Sequence, residues 1–180
     1  MSRRRFRPTD AFVDESVRGQ RYLMSCVLVD VRHLPVLRPT VEELAWFGGR
    51  VHFHNESKRR RGQILEAFAA LPIQVDVVVV QRSHGVTEFA ARHQCLTAIV
   101  QRLQAEKVSH LTLESRMDDR DDRRTIGQVR KTEPPLVFEH RPGAADPMLW
   151  VADGIAWAVG AGGIWRDLVQ PVIRDELELP

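Results

Sequence analysis

The sequence predicts a single α/β domain, a mixed sheet of about five strands flanked by helices. Residues 73–80 form the most β-rich run in the chain, and residues 86–103 carry apolar side chains at helical spacing. A strand-like run, residues 110–114, follows that helix directly. A length of 180 residues allows one well-buried core and is short for two. We therefore expect one domain over residues 1–180.

The first half of the chain predicts three antiparallel strands. A short apolar strand that stops at two acids, residues 11–15, and a second apolar run, residues 22–29, are separated by a polar turn and indicate a hairpin. Residues 73–80 supply the third strand. Between them, Thr40 followed by Glu43 predicts a short capped helix, and Ser57 predicts the cap of a second helix that Pro72 ends. Residues 1–9 are predicted to form a basic N-terminal tail.

The second half predicts a helical crossover into a strand that lies parallel to the first. After residues 110–114, a charged stretch without hydrophobic period predicts a mobile loop over residues 115–133. A strand at residues 136–139 follows. Asp146 as N-cap and Pro147 as first helical residue then predict an apolar helix up to Gly160. This order of elements is that of the RNase H-like fold.

Three carboxylates stand at positions where an uncompensated negative charge is unfavourable, and a shared cation would compensate all three. Asp14 and Glu114 each end a strand, and parallel neighbouring strands bring such residues together at one edge of the sheet. Asp153 interrupts the apolar stripe of the last long helix, where an unpaired charge costs several kcal/mol. Mg²⁺ or Mn²⁺ would relieve the repulsion, and a salt bridge to an arginine is the alternative for Asp153.

Three segments carry a resemblance to a known family: Phe12-Val13-Asp14-Glu15-Ser16, Leu113-Glu114-Ser115, and residues 149–157, LWVADGIAW. The chain resembles the RNase H-like family catalogued as domain of unknown function 3800. The resemblance spans most of the chain and implies a metal-dependent nuclease. It implies that Asp14 bridges two divalent ions, Mg²⁺ or Mn²⁺, that Glu114 binds one of them, and that Asp153 binds the other.

Nearby polar residues are predicted to support this site. Glu15 points to the opposite face of its strand from Asp14, so a salt bridge is its expected role beside Ser16. Asp118 lies beyond Glu114 and is a reserve metal ligand, with a solvated loop as the alternative. The predicted substrate contacts, for which a solvated basic surface is the alternative, are His54, Lys58, Arg59, Arg60 and Arg116.

Composition narrows the class of protein. Net charge is only +2, so whole-molecule electrostatics do not by themselves indicate nucleic-acid binding. Cys26 and Cys95 lie in apolar runs without metal or redox spacing, and no membrane span or export signal is evident, which predicts a cytoplasmic protein. We expect a nuclease acting on DNA or RNA. The alternatives are a non-catalytic nucleic-acid- or protein-binding module and a phosphohydrolase for a small substrate.

Overall fold

The computed structural model describes residues 6–45, 49–51, 53–82, 85–117 and 119–179. Six strands and six helices follow one another in the described residues: β1 Asp10–Arg18, β2 Arg21–Val29, α1 Leu34–Glu42, α2 Lys58–Ala69, β3 Gln74–Gln81, α3 Glu88–Ala105, β4 His110–Glu114, α4 Asp119–Val129, β5 Val137–Arg141, α5 Pro147–Ala161, α6 Ile164–Val169 and β6 Ile173–Leu179. No helix in these ranges has the length and apolar character that a membrane span requires.

The sheet has the mixed topology that the sequence predicts. Its strand order is β5-β4-β1-β2-β3-β6. β2 runs antiparallel to its two neighbours, β1 and β3, whereas β4 runs parallel to β1 and β5 parallel to β4. The predicted crossover through α3 is therefore confirmed. It brings the carboxyl ends of β1 and β4 to the same edge of the sheet.

Helices cover both faces of the sheet, and β1 contributes to both cores. Phe12 packs with α1, α2, α5 and α6 on one face, while Ala11 and Val13 pack with α3 and α4 on the other. Because side chains alternate along a strand, Asp14, like Phe12, faces α5, and Glu15, like Val13, faces α3. Cys26 and Cys95 are buried in the α3-side core, as expected.

The predicted helix starts are confirmed at two positions. Ser57 caps α2 by accepting a hydrogen bond from the Arg60 amide, and Asp146 caps α5 by accepting one from the Met148 amide. The helix predicted to begin after Thr40 is wrong. α1 instead begins at Leu34, with Pro35 in its first turn, and Thr40 lies near its end.

The charged stretch predicted as a mobile loop over residues 115–133 contains α4. The hydrophobic period is weak because a charged residue, Asp122, occupies part of the buried face together with Thr125 and Ile126. Arg92 of α3 pairs with Asp122, which is why a carboxylate can replace an apolar side chain there. The loop prediction is therefore wrong over 119–129.

The sixth strand was not predicted. β6 has the sequence IRDELEL, and it pairs in parallel with β3 at the edge of the sheet. Its charged residues fit an edge strand that is only half covered, so it lacks a long apolar run.

At the other end of the chain, residues 1–5 of the predicted basic tail lie outside the described residues. Phe6 packs partly against the core, and the Thr9 amide donates to the Val29 carbonyl.

Candidate metal centre

Asp14 and Glu114 lie side by side on two parallel strands, Asp14 at the middle of β1 and Glu114 at the carboxyl end of β4. The β1–β4 register pairs Val13 with Leu113, so the next residue on each strand is an acid. Asp14 is only 2% exposed, and burial, together with the nearby Glu114 carboxylate, raises its pKa. The two carboxylates lie together, as predicted, but the prediction that β1 ends at these acids is wrong, because the strand continues to Arg18 in the hairpin with β2.

The third acid, Asp153, reaches the same site from α5. This helix packs across β1 and β2, and its Ala152 carbonyl accepts a hydrogen bond of 2.7 Å from Ser25 Oγ of β2. Asp153, the next residue, is half-buried and accepts a hydrogen bond from the Phe53 amide. The three predicted acids thus belong to one electrostatic cluster.

Burial and mutual repulsion raise the pKa values of two of these acids. Desolvation raises the pKa of Asp14 well above its usual range, and the neighbouring charges of Glu15, Glu114 and Asp153 raise it further. Desolvation also raises the pKa of Asp153, although the Arg50 guanidinium opposes this effect. Negative charge at Asp14 is therefore not fully compensated by protein groups, which is the condition under which a divalent cation binds.

Two arginines border the acids. Arg50 Nη2 lies 2.8 Å from Glu114 Oε1, with both side chains mostly buried. Arg116 contacts Glu15 through Nη1, and its Nη2 lies 3.7 Å from Asp14 Oδ1. Gly143 permits this arrangement, since a β-carbon at that position would collide with the Glu114 carboxylate and the Arg50 guanidinium.

Glu15 lies on the opposite face of β1 and takes part in a buried ion-pair network, as predicted. Arg92 of α3 contacts Glu15 Oε2 at 2.7 Å and donates two hydrogen bonds to Asp122 of α4. His140 Nε2 lies 3.1 Å from the same Asp122. Burial raises the pKa of Asp122, but the hydrogen bonds from Arg92 and His140 outweigh burial and lower the pKa to about 2. The network fixes the position of Glu15, which in turn holds Arg116.

A second group of possible metal ligands lies within this network. Among the described residues, Asp119, Asp122 and His140 bring one ligand atom each within 4.8 Å of one another. Their oxygens are already used: Asp122 binds the Arg92 guanidinium, and Asp119 accepts hydrogen bonds from Ser115 Oγ and the Arg116 amide. A cation there would face a buried guanidinium. We therefore assign this group a structural role.

The three acids around Asp14 are more widely spaced than that group, because they do not all bring a ligand atom within 4.8 Å of one another. Carboxylate oxygens are the donors that Mg²⁺ and Mn²⁺ prefer. The residues present therefore fit a divalent-metal centre.

The predicted substrate contacts have different surroundings. Lys58 and Arg59 are exposed at the start of α2, and His54 is exposed in the short 3₁₀ turn Phe53–Asn55. Arg60 donates to the Leu44 carbonyl, so it is tied to the protein. Arg116 lies against the acids, as described above. Ser16, half-buried, follows Asp14 on the same face of β1. Asp118, the predicted reserve ligand, lies outside the described residues.

Sequence reasoning missed Arg50, Arg92, Asp122 and Gly143. One of them was detectable: Arg92 shares the buried stripe of α3 with Ala91 and Cys95, where a lone arginine calls for an acid partner. Arg50 and Gly143 lie outside the long helices and strands. No periodicity in the sequence places either of them beside Glu114.

Comparison with known proteins bears on the fold. No family model matches the sequence, and no curated protein matches it. The structure is similar to ribonuclease H2 from Pyrococcus horikoshii OT3, with a TM-score of 0.59, 15% sequence identity, and coverage of 84% of this chain and 72% of that chain. It is also similar to Bst-RNase HIII in complex with Mn²⁺, with a TM-score of 0.54, 14% identity, and coverage of 84% and 51%. The chain thus spans about half the length of the RNase HIII chain. The chain has an RNase H-like fold.

Proposed function

We propose that this protein is a divalent-metal-dependent nuclease that hydrolyses phosphodiester bonds of DNA or RNA. The observation that carries the proposal is the buried Asp14 carboxylate beside Glu114 and Asp153, whose pKa is raised by burial and by the neighbouring charges of Glu15 and these two acids. Both similar structures are ribonucleases, and one of them is a complex with Mn²⁺. These likenesses support the proposal through the fold.

Asp14, Glu114 and Asp153 would hold two divalent ions, Mg²⁺ or Mn²⁺. When bound, the ions would activate a water molecule and stabilise the developing charge on the leaving oxygen. Arg50 and Arg116 lie beside the acids and are positioned to bind the nonbridging oxygens of a phosphate. Glu15 holds Arg116 in place, and Arg92 holds Glu15.

We further propose that the chain belongs to the family catalogued as domain of unknown function 3800. The D-E-S motif at the middle of β1 and the A-D-x-x-A-W motif of α5 supply the first and third acids of one cluster. The two buried, unpaired thiols of Cys26 and Cys95 support a reducing compartment such as the cytoplasm.

The test is cleavage of labelled single- and double-stranded DNA and RNA with Mg²⁺, Mn²⁺ or EDTA. We expect metal-dependent cleavage by the wild type and a loss of at least a hundredfold in Asp14→Asn and Asp153→Asn. Asp121→Asn, a partly exposed acid of α4, is the matched control and should retain activity. Cleavage that survives both site variants would exclude this centre.

One observation favours a non-catalytic nucleic-acid-binding module instead. Arg50 already pairs with Glu114, and Arg116 lies near Asp14, so arginines partly neutralise the acids without any metal. A module of this kind would bind nucleic acid equally well in EDTA and would gain no thermal stability from Mn²⁺. Calorimetric titration with Mn²⁺ distinguishes the two functions even when the right substrate has not been found.

A further inference from the structure

A cluster of arginine and aromatic side chains lies around Trp157, on the helix that also carries Asp153. The Arg61 guanidinium lies 4.6 Å from the centroid of the Trp157 ring, and the Arg18 guanidinium lies 5.2 Å from it. Phe53 and Trp165 hold the indole from other sides, with ring centroids 5.1 and 5.4 Å away. The aromatic groups thus fix two cations over one ring.

Neither cation has an acidic partner in the part of the chain that the structure describes. Arg61 donates from Nε to the Phe53 carbonyl at 3.1 Å and from Nη2 to the His54 carbonyl at 2.6 Å, both neutral groups. Arg18 Nε is buried and has no hydrogen-bond partner among the described residues. The nearest arginine across the hairpin, Arg21, is itself paired with Glu176. Two guanidinium charges at one indole therefore repel each other, and an anion would relieve the repulsion.

The backbone holds Arg18 in place from one side. Gly160 of α5 lies against it so closely that an added β-carbon would come within 2.9 Å of Arg18 Cγ and 3.5 Å of Ser16 Oγ. The aliphatic part of Arg18 is therefore packed on the helix, and the head group is half-buried instead of extending freely into solvent. Such a group loses little conformational entropy when it binds a ligand.

Two residues of the cluster lie on β1 and α5, the elements that also carry Asp14 and Asp153. On each element the cluster residue follows the acid by four positions. On β1, Arg18 follows Asp14 by four residues on the same face, a distance of about 13 Å along a strand. On α5, Trp157 follows Asp153 by four residues, which places the two side chains on neighbouring turns of one helix face. A ligand that lies along α5 from the acids reaches the Trp157 ring next.

We propose that Arg18, Arg61 and Trp157 form a subsite for the phosphodiester backbone of a nucleic-acid strand, adjacent to the metal centre. Guanidinium groups bind phosphate oxygens through paired N–H donors, and the indole keeps the two arginines oriented. This inference rests on the proposed function, because it takes the scissile phosphate to lie at the acids. It adds a second contact, which holds the strand on one side of the cleavage position.

The test is equilibrium binding without metal, so that it does not depend on catalysis. The probe is a labelled single-stranded oligonucleotide long enough to span both sites, in RNA and DNA forms, with EDTA and a series of salt concentrations. We expect Arg18→Gln combined with Arg61→Gln to weaken binding at least tenfold. The slope of log affinity against log salt should fall by about 1.4, or roughly 0.7 for each lost phosphate contact on a single strand.

The controls separate a specific contact from general charge and from folding. Arg7→Gln removes one positive charge from an exposed position before β1, the same change as each single variant, and should leave affinity and slope near those of the wild type. Arg18→Lys keeps the charge and should retain most of the slope while losing affinity. The thermal unfolding midpoint verifies that each variant is folded. If the double variant binds with the affinity and slope of Arg7→Gln, the subsite is excluded.

The outcome is independent of the cleavage assay. Binding that depends on Arg18 and Arg61 in a wild-type protein that cuts nothing would retain the subsite and reject the nuclease. Metal-dependent cleavage together with unchanged binding by Arg18→Gln and Arg61→Gln would retain the nuclease and reject the subsite.

Discussion

The Arg50 guanidinium contacts the Glu114 carboxylate at 2.8 Å and also interacts with Asp153, so a protein cation occupies the neighbourhood of two of the three acids. A divalent ion must compete with this guanidinium for Glu114. The metal affinity of this centre therefore depends on the free energy needed to separate Arg50 from Glu114.

Arg50→Gln should tighten Mn²⁺ binding. The substitution removes the competing charge and leaves Glu114 free to bind metal, and a gain on the order of tenfold corresponds to about 1.4 kcal/mol. Calorimetric titration with Mn²⁺ measures it. Arg141→Gln, which removes an arginine paired mainly with Glu139, is the control and should change the affinity little. Weaker binding by Arg50→Gln would contradict a competing role and would indicate that Arg50 orders the site.

Asp14→Asn should stabilise the metal-free protein at neutral pH. The pKa of Asp14 is raised in the folded state, so the folded protein binds a proton more tightly than the unfolded chain does. Stability is then lost as pH rises from the ordinary aspartate pKa of 3.8 toward the raised value. Asparagine carries no charge, and the unfolding midpoint in EDTA should rise by about 2–4 °C for each kcal/mol of repulsion relieved.

The same variant should lose the stabilisation that Mn²⁺ gives the wild type, since bound ligand stabilises only a fold that can bind it. Asp175→Asn serves as the control. The pKa of Asp175 is lowered by its hydrogen bond with Arg102, so removing that charge should not stabilise the protein. A lower midpoint for Asp14→Asn in EDTA would refute the repulsion argument.

Asp122→Ala should destabilise the protein strongly. The substitution leaves the buried Arg92 guanidinium with one acid fewer and removes the hydrogen-bond partner of His140, and breaking a buried pair costs about 3–5 kcal/mol. Urea unfolding measures the loss. Asp121→Ala, one residue earlier on α4 and partly exposed, should change stability by less than about 0.5 kcal/mol.

The pH dependence of the Asp122 contribution has a defined sign. Its pKa is lowered to about 2 in the folded protein, from 3.8. The contribution is complete above the unfolded value and is lost as pH falls from about 4 toward 2. The wild type should therefore lose stability in that window relative to Asp122→Ala, and parallel acid profiles of the two proteins would exclude the ion pair as the cause.

Gly143→Ala should weaken metal binding without unfolding the protein. The added methyl group would collide with the Glu114 carboxylate and the Arg50 guanidinium, so one or both must move. We expect Mn²⁺ affinity to fall by about tenfold and the free energy of unfolding to fall by about 1–3 kcal/mol. Gly127→Ala, on α4 with open space around the position, is the control and should leave metal binding unchanged. Equal effects of both substitutions would argue against the close approach at Gly143.

The sequence predicted the site residues that lie in strands and helices with a clear hydrophobic period. Asp14 and Glu114 end apolar runs, and Asp153 interrupts an apolar helix, so their positions follow from the alternation of strands and helices. Arg50 was not predictable, because its segment has no periodicity and its partner is 64 positions away in sequence. α4 was missed for a related reason. Its buried face includes Asp122, which is compatible with burial only because Arg92 lies across from it.

The parallel pairing of β6 with β3 also has a consequence for synthesis of the chain. β3 is rich in buried valine, and the partner that covers its outer edge begins at Ile173, about 90 residues later. At roughly 5–20 residues per second, a ribosome needs on the order of 5–20 s to make that stretch. During this interval the nascent chain carries an uncovered β-edge, a site where two chains can pair wrongly. Shortening the C-terminus before residue 173 would make that transient exposure permanent.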